Sequence, residues 1–115
     1  RLYVQAHDKT QKLAWESALA FGASVVHILL LDSDAAGNVY LGVEVQETPP
    51  PEETYKTVVA RLEGAHGKLN GQLILPPTTG DPTESFRPLT VSADGTVYQL
   101  VDTPQGPTLT AFTFE

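Results

Sequence analysis

The chain contains no cysteine, so disulfide bonds and Cys-ligated metal centres are both excluded. Methionine is absent too, and Trp15 is the single tryptophan. Basic residues are scarce: seven Lys and Arg face fourteen Asp and Glu, for a net charge of −7. That balance disfavours a phosphate-backbone partner, because non-specific nucleic-acid binding needs clustered cations. It disfavours an anionic membrane surface for the same reason. Long apolar runs are also missing. The densest, Val25 to Leu31, is strand-sized and far below the roughly 20 residues of a membrane-spanning helix, so no membrane insertion is expected. There is no phosphate-cradling glycine loop, since Gly64-Ala65-His66-Gly67 lacks the Lys and Ser or Thr such a loop requires.

What is present is recurrence. Arg1-Leu2-Tyr3, Asn38-Val39-Tyr40 and Thr96-Val97-Tyr98 share one pattern, and the last two follow the similar turns Ala35-Ala36-Gly37 and Ala93-Asp94-Gly95. Repetition of one supersecondary unit is the strongest fold signal a sequence carries. The 115 residues suit one small unit with a modest core, and a 41% hydrophobic fraction argues against disorder.

The segments between turns read as β-strands. Arg1–Ala6 is a short strand. Ser24–Asp32 is a continuous apolar run, expected to be an inner strand buried on both faces. Asn38–Gln46 alternates at period two, with Val39, Leu41, Val43 and Val45 on one side. Glu47–Glu53 carries three prolines that remove ladder donors, so it is expected to be a surface excursion. Strands follow at Tyr55–Glu63, Lys68–Leu75, Phe86–Val91, Thr96–Val101 and Thr108–Phe114, with a loop at Pro76–Pro82. Two segments have helical credentials. Pro51–Gly64 opens on proline and acids and ends on glycine, and Thr10–Phe21 is rich in helix formers before Gly22. The β-branched Thr54, Thr57, Val58 and Val59, and the phase of the repeat, favour strand in both.

From Arg1 to Glu16 the residues Tyr3, Asp8, Thr10, Lys12 and Trp15 resemble the β-propeller repeat of the pyrroloquinoline-quinone type, with Gln11 where that family carries glycine. A second, looser copy opens at Asn38-Val39-Tyr40 and closes at Gly67-Lys68-Leu69-Asn70-Gly71, where Gly71 replaces the Trp. A third starts at Thr96. The resemblance implies antiparallel four-stranded blades packed radially. Tyr3 to Tyr40 spans 37 residues and Tyr40 to Tyr98 spans 58, against roughly 40–50 per blade. The expectation is one partial propeller over residues 1–115, about two and a half blades with artificial ends, where complete rings have about four to eight. Its edges would then need the remaining blades, another protein or copies of the chain itself to cover them. A stand-alone β-sandwich or α+β domain is the alternative.

The resemblance implies that Trp15 docks between neighbouring blades, and Tyr3, Tyr40 and Tyr98 are expected to pack at the sheets with their hydroxyls reaching partners. Asp32-x-Asp34-x-x-Gly37-Asn38 echoes a calcium loop, in which oxygen ligands alternate around a mid-loop glycine. Ala36 occupies the third ligand position and Val43 the bidentate one, so a tight Asp-Gly turn is the competing reading. His7, His27 and His66 are scattered, and His27 is expected to be a hydrogen-bonded core residue. Glu52-Glu53 reads as a solvated acidic loop. No catalytic constellation is visible. Two functions follow from this reading. One is a non-catalytic, protein-binding or adhesive scaffold of a bacterial surface or periplasmic protein. The other is a fragment of a propeller enzyme such as a quinone-dependent dehydrogenase, whose sites use calcium.

Overall fold

The computed structural model describes residues 1–77 and 88–114 and, of Asp102, the backbone only. The expected loop Pro76–Pro82 therefore lies outside the described residues beyond Pro77, as does the expected strand start at Phe86. Within them the chain is all-β, without helix. Nine strands run β1 Leu2–His7, β2 Leu13–Leu19, β3 Ser24–Ser33, β4 Val39–Thr48, β5 Thr54–Leu62, β6 Leu69–Leu75, β7 Leu89–Val91, β8 Val97–Thr103 and β9 Gly106–Phe112. They form a β1-β2 hairpin, a four-stranded meander β3-β4-β5-β6 and a three-stranded meander β7-β8-β9, every pairing antiparallel. Both segments with helical credentials are strands, β2 and β5. Each gains a full ladder on a neighbour, and the β-branched run of β5 packs on both faces.

The four-stranded sheet is the middle layer. Leu41, Val43 and Val45 of β4 and Val58, Ala60 and Leu62 of β5 point to one face, where Leu19, Leu2, Val4 and Trp15 of the β1–β2 hairpin close over them. Tyr40 and Val59 point to the other, against Leu89, Val97, Val91 and Phe112 of the third sheet. Successive side chains of a strand alternate faces, so a strand covered on both sides buries nearly every residue. That is the state of β4 and β5.

The expectation for Ser24–Asp32 is corrected here. β3 is an edge strand, Ile28 is 59% and Leu31 67% exposed, and His27 is exposed rather than in the core. Of its apolar run only Leu30, against the third sheet, is buried, with Val25 and Leu29 partly buried at the two cores. Two bulges, between Val25 and His27 and between Ile28 and Leu30, further twist this edge away from regular pairing. The proline segment is the expected excursion in shortened form. Glu47 and Thr48 still belong to β4, and Pro49–Glu53 alone links β4 to β5, with a cis bond between Pro50 and Pro51.

Candidate functional site

Three turns have one geometry. In Asp8–Lys12, Asp34–Asn38 and Ser92–Thr96 the first residue's N–H donates to the fifth residue's carbonyl, and the fourth residue's N–H donates back to the first carbonyl. The fourth residue has positive φ each time: Gln11 at 65°, Gly37 at 88° and Gly95 at 88°. This is the three-residue hairpin loop in which a left-handed residue closes the turn. Gln11 therefore stands in a backbone conformation that favours glycine, at the one place where the sequence departs from glycine. A fourth turn, Glu63–Lys68, is one residue longer and puts its left-handed residue at Gly67, φ 72°.

Carboxylates brace these turns. Asp8 Oδ1 accepts from the Thr10 and Lys12 amides and the Thr10 hydroxyl. Asp94 accepts from the Thr96 amide and the Ser92 hydroxyl. Asp34 is the most heavily used: Oδ1 takes the Ala36 and Asn38 amides, and Oδ2 takes the Asn38 side-chain amide and the Tyr40 hydroxyl. Burial raises the Asp34 carboxyl, but these four hydrogen bonds outweigh it and hold the group below its ordinary value. Hydrogen bonds from Thr10 and from Ser92 likewise lower Asp8 and Asp94.

The residues of the calcium-loop echo are thus arranged as a hydrogen-bonded turn. Asp34 has both oxygens engaged, Asn38 turns its amide nitrogen toward Asp34, and Asp32 Oδ1 accepts from the Ser33 amide. Among the described residues no three His, Asp or Glu side chains converge as a metal site. Tyr55 and Glu53 meet through a 3.2 Å hydrogen bond, and Lys56 pairs with Glu47 at 3.4 Å, so the acidic loop has its own local partners.

The turns also join the sheets. Ala35 N–H donates to Ala93 O over 2.9 Å, linking the β3–β4 turn to the β7–β8 turn. A Cβ placed on Gly64 would collide with the Gly37 carbonyl, so the β3–β4 and β5–β6 turns touch through backbone. Trp15 Nε1 donates to Gly64 O at 2.9 Å, its ring lies on Gly67, and the Ser17 hydroxyl donates to Gly67 O. These four turns therefore occupy one rim of the layered sheets. Among the described residues, the opposite rim carries the connections β2–β3, β4–β5 and β8–β9, the last of them only two residues long. A depression of about 500 Å³ on that rim is lined by Leu2, Phe21 and Val25 among others, and one of about 260 Å³ lies beside Gln46, Glu47 and Pro49.

The tyrosines divide. Tyr40 is 1% exposed, with its ring 5.6 Å edge-on from Phe114. Tyr98 holds the matching position two residues past the third turn and is half-buried. Tyr3 is 61% exposed, and its packing expectation is corrected: it lies on the face of β1 turned away from the middle sheet. Sequence reasoning passed over four further contacts. Arg61 stacks 4.6 Å above Phe114 while its Nε donates to Asn70 Oδ1, Phe114 fills the space beside Gly71, and buried Gln99 donates to Pro76 O. The one advance signal was Gly71, which carries no side chain where the resemblance would place a Trp and so leaves room for a ring from elsewhere. No protein family, curated protein or solved structure matches the chain.

Proposed function

We propose that the chain is a non-catalytic stretch of β-propeller, about two and a half blades, that serves as a protein-binding scaffold in a bacterial surface or periplasmic protein. The supporting observation is the middle sheet, a four-stranded antiparallel meander whose central strands β4 and β5 are buried on both faces between sheets joined to it through the same turn rim. Radial blades pack face to face in this way, and the strand series two, four, three is what successive four-stranded blades present when the first and last lack strands. The interlocked turns stiffen one rim, leaving the connections of the other, which among the described residues make no such links to one another, free to vary and to carry recognition. Pro49–Glu53, exposed and acidic, is the recognition loop of this reading.

Replacing Pro49–Glu53 with a two-residue Asn-Gly turn tests it, since that turn matches the hairpin twist. The expected result is an unchanged unfolding curve together with loss of capture of the natural partner by the full-length protein. Retained binding removes the loop from the proposal. A full-length protein that shows no ring of radial blades by electron microscopy removes the propeller itself.

A further inference from the structure

The chain has two asparagines, Asn38 and Asn70, and only Asn70 is followed by glycine. The carboxamide of an asparagine is open to attack at Cγ by the backbone nitrogen of the next residue. Glycine leaves that nitrogen unshielded because it has no Cβ. The two asparagines differ in each respect that governs this reaction. Asn38 is half-buried, precedes the β-branched Val39, and ties its carboxamide nitrogen to Asp34 Oδ2 at 3.0 Å. Asn70 is exposed on β6, which ends its sheet among the described residues. The β5–β6 ladder pairs Leu69 with Leu62 and Gly71 with Arg61, so Asn70 is the extra residue of a bulge. Such a residue has no partner opposite it and is released from the regular ladder.

Arg61 acts on the same group. Its Nε donates to Asn70 Oδ1 at 2.7 Å, and a terminal guanidinium nitrogen donates to the Asn70 backbone oxygen at 3.2 Å. The guanidinium is itself held 4.6 Å above the Phe114 ring. A fixed cation on Oδ1 draws electrons from Cγ and stabilises the oxyanion that forms when Cγ becomes tetrahedral, as an oxyanion hole does. The guanidinium also lies 3.4 Å from where a Cβ on Gly71 would stand, so its charge favours the amide anion that attacks. A shielding side chain at position 71 is barred, because its Cβ would meet the Phe114 ring at 2.9 Å.

We propose that Asn70-Gly71 is a site of intramolecular deamidation in which Arg61 activates the carboxamide. The Gly71 nitrogen gives its proton to hydroxide and bonds to Asn70 Cγ. The Cγ–Nδ2 bond then breaks, and the nitrogen takes a proton from water and leaves as ammonia. The product is a five-membered succinimide. Water adds to either ring carbonyl and opens the ring. Breaking the new bond to Cγ gives aspartate, and breaking the bond to the Asn70 carbonyl carbon gives isoaspartate. Either product places a new negative charge beside Arg61. Aspartate keeps the Arg61 contact as an ion pair. Isoaspartate adds one carbon to the main chain at the bulge and moves the oxygen that Arg61 holds. This chemistry is independent of the blade reading.

The test incubates the intact chain at neutral pH and body temperature and follows each asparagine by peptide mapping. The chain unfolded in guanidinium chloride is the reference. In the folded chain, Asn70 is expected to convert within days to aspartate and isoaspartate, while Asn38 stays intact. Arg61→Gln should slow the folded reaction by about tenfold and leave the unfolded rate unchanged, because the contact exists only in the fold. Arg61→Lys keeps the charge and should recover part of the loss, with amide exchange along β6 showing that the ladder persists in both variants. An Asn70 that survives in the folded chain while the unfolded chain converts would overturn the proposal. So would a folded rate that Arg61→Gln leaves unchanged or raises.

Discussion

The hydroxyl of Tyr40 donates to Asp34 Oδ2 over 2.7 Å from a ring that is 1% exposed, so the second strand of the middle sheet is fastened to the turn that precedes it. The same hydroxyl would lie 2.6 Å from a Cβ at Gly95, so the ring also sets how closely the third sheet's turn approaches. Asp34 thus organises a turn, a buried phenol and an inter-sheet contact with a single carboxylate.

Tyr40→Phe should cost about 1 kcal/mol, the net value of one hydrogen bond. Asp34→Ala should cost more, about 1–3 kcal/mol, because it leaves the Tyr40 hydroxyl buried without an acceptor and strips the turn amides of theirs. Urea unfolding of both variants checks the order. Equal losses would mean that Asp34 acts only through Tyr40.

Acid should weaken the fold at these turns. Asp8, Asp34 and Asp94 all have carboxyls held below the ordinary 3.8 in the folded chain. A depressed folded value means the charged form is the stabilising one. Stability from these groups is therefore full above the unfolded value near 3.8 and lost as pH falls through it toward the lower folded values. Asp34→Asn should flatten the drop between pH 5 and 2, as read from thermal midpoints across a pH series. A slope unchanged by that substitution would refute the assignment.

Trp15 reports on the docking of the first hairpin. Gly67 has positive φ, and a Cβ there would enter the Trp15 ring. Gly67→Ala should lower stability by about 1–3 kcal/mol and shift the emission of the single Trp to the red as the ring leaves Gly64. An unshifted spectrum would show that the ring is held by contacts other than these.

Gln11 marks a place where the chain can be improved. At φ 65° it carries the left-handed penalty of an L-residue, and its side chain is exposed. Gln11→Gly should stabilise by up to about 1 kcal/mol, less whatever freedom glycine adds to the unfolded state. Denaturant midpoints decide the sign.

The turns and most strands were legible because their causes are local. Asp34 three residues before Gly37 prescribes a closed hairpin whatever lies around it, and prolines at positions 49 to 51 end a ladder wherever they occur. The candidate site was less legible. The calcium-loop echo and the turn share one set of residues, and only the positions of Tyr40 and Asn38 reveal that both oxygens of Asp34 accept hydrogen bonds within the turn.

Most strands and the positions of the turns were written in the amino-acid order of this protein, while strand rather than helix at β2 and β5 was secured by their ladders. Which strands became core was settled by tertiary structure. Ser24–Asp32 is more apolar than Asn38–Gln46, yet β4 is buried and β3 largely exposed. Tyr3 and Tyr40 sit in like sequence but meet water and protein respectively. Alternation states that a face is apolar and carries no information on whether another sheet will arrive to cover it. That depends on strand order and on distant partners such as Trp15 with Gly64 and Ala35 with Ala93.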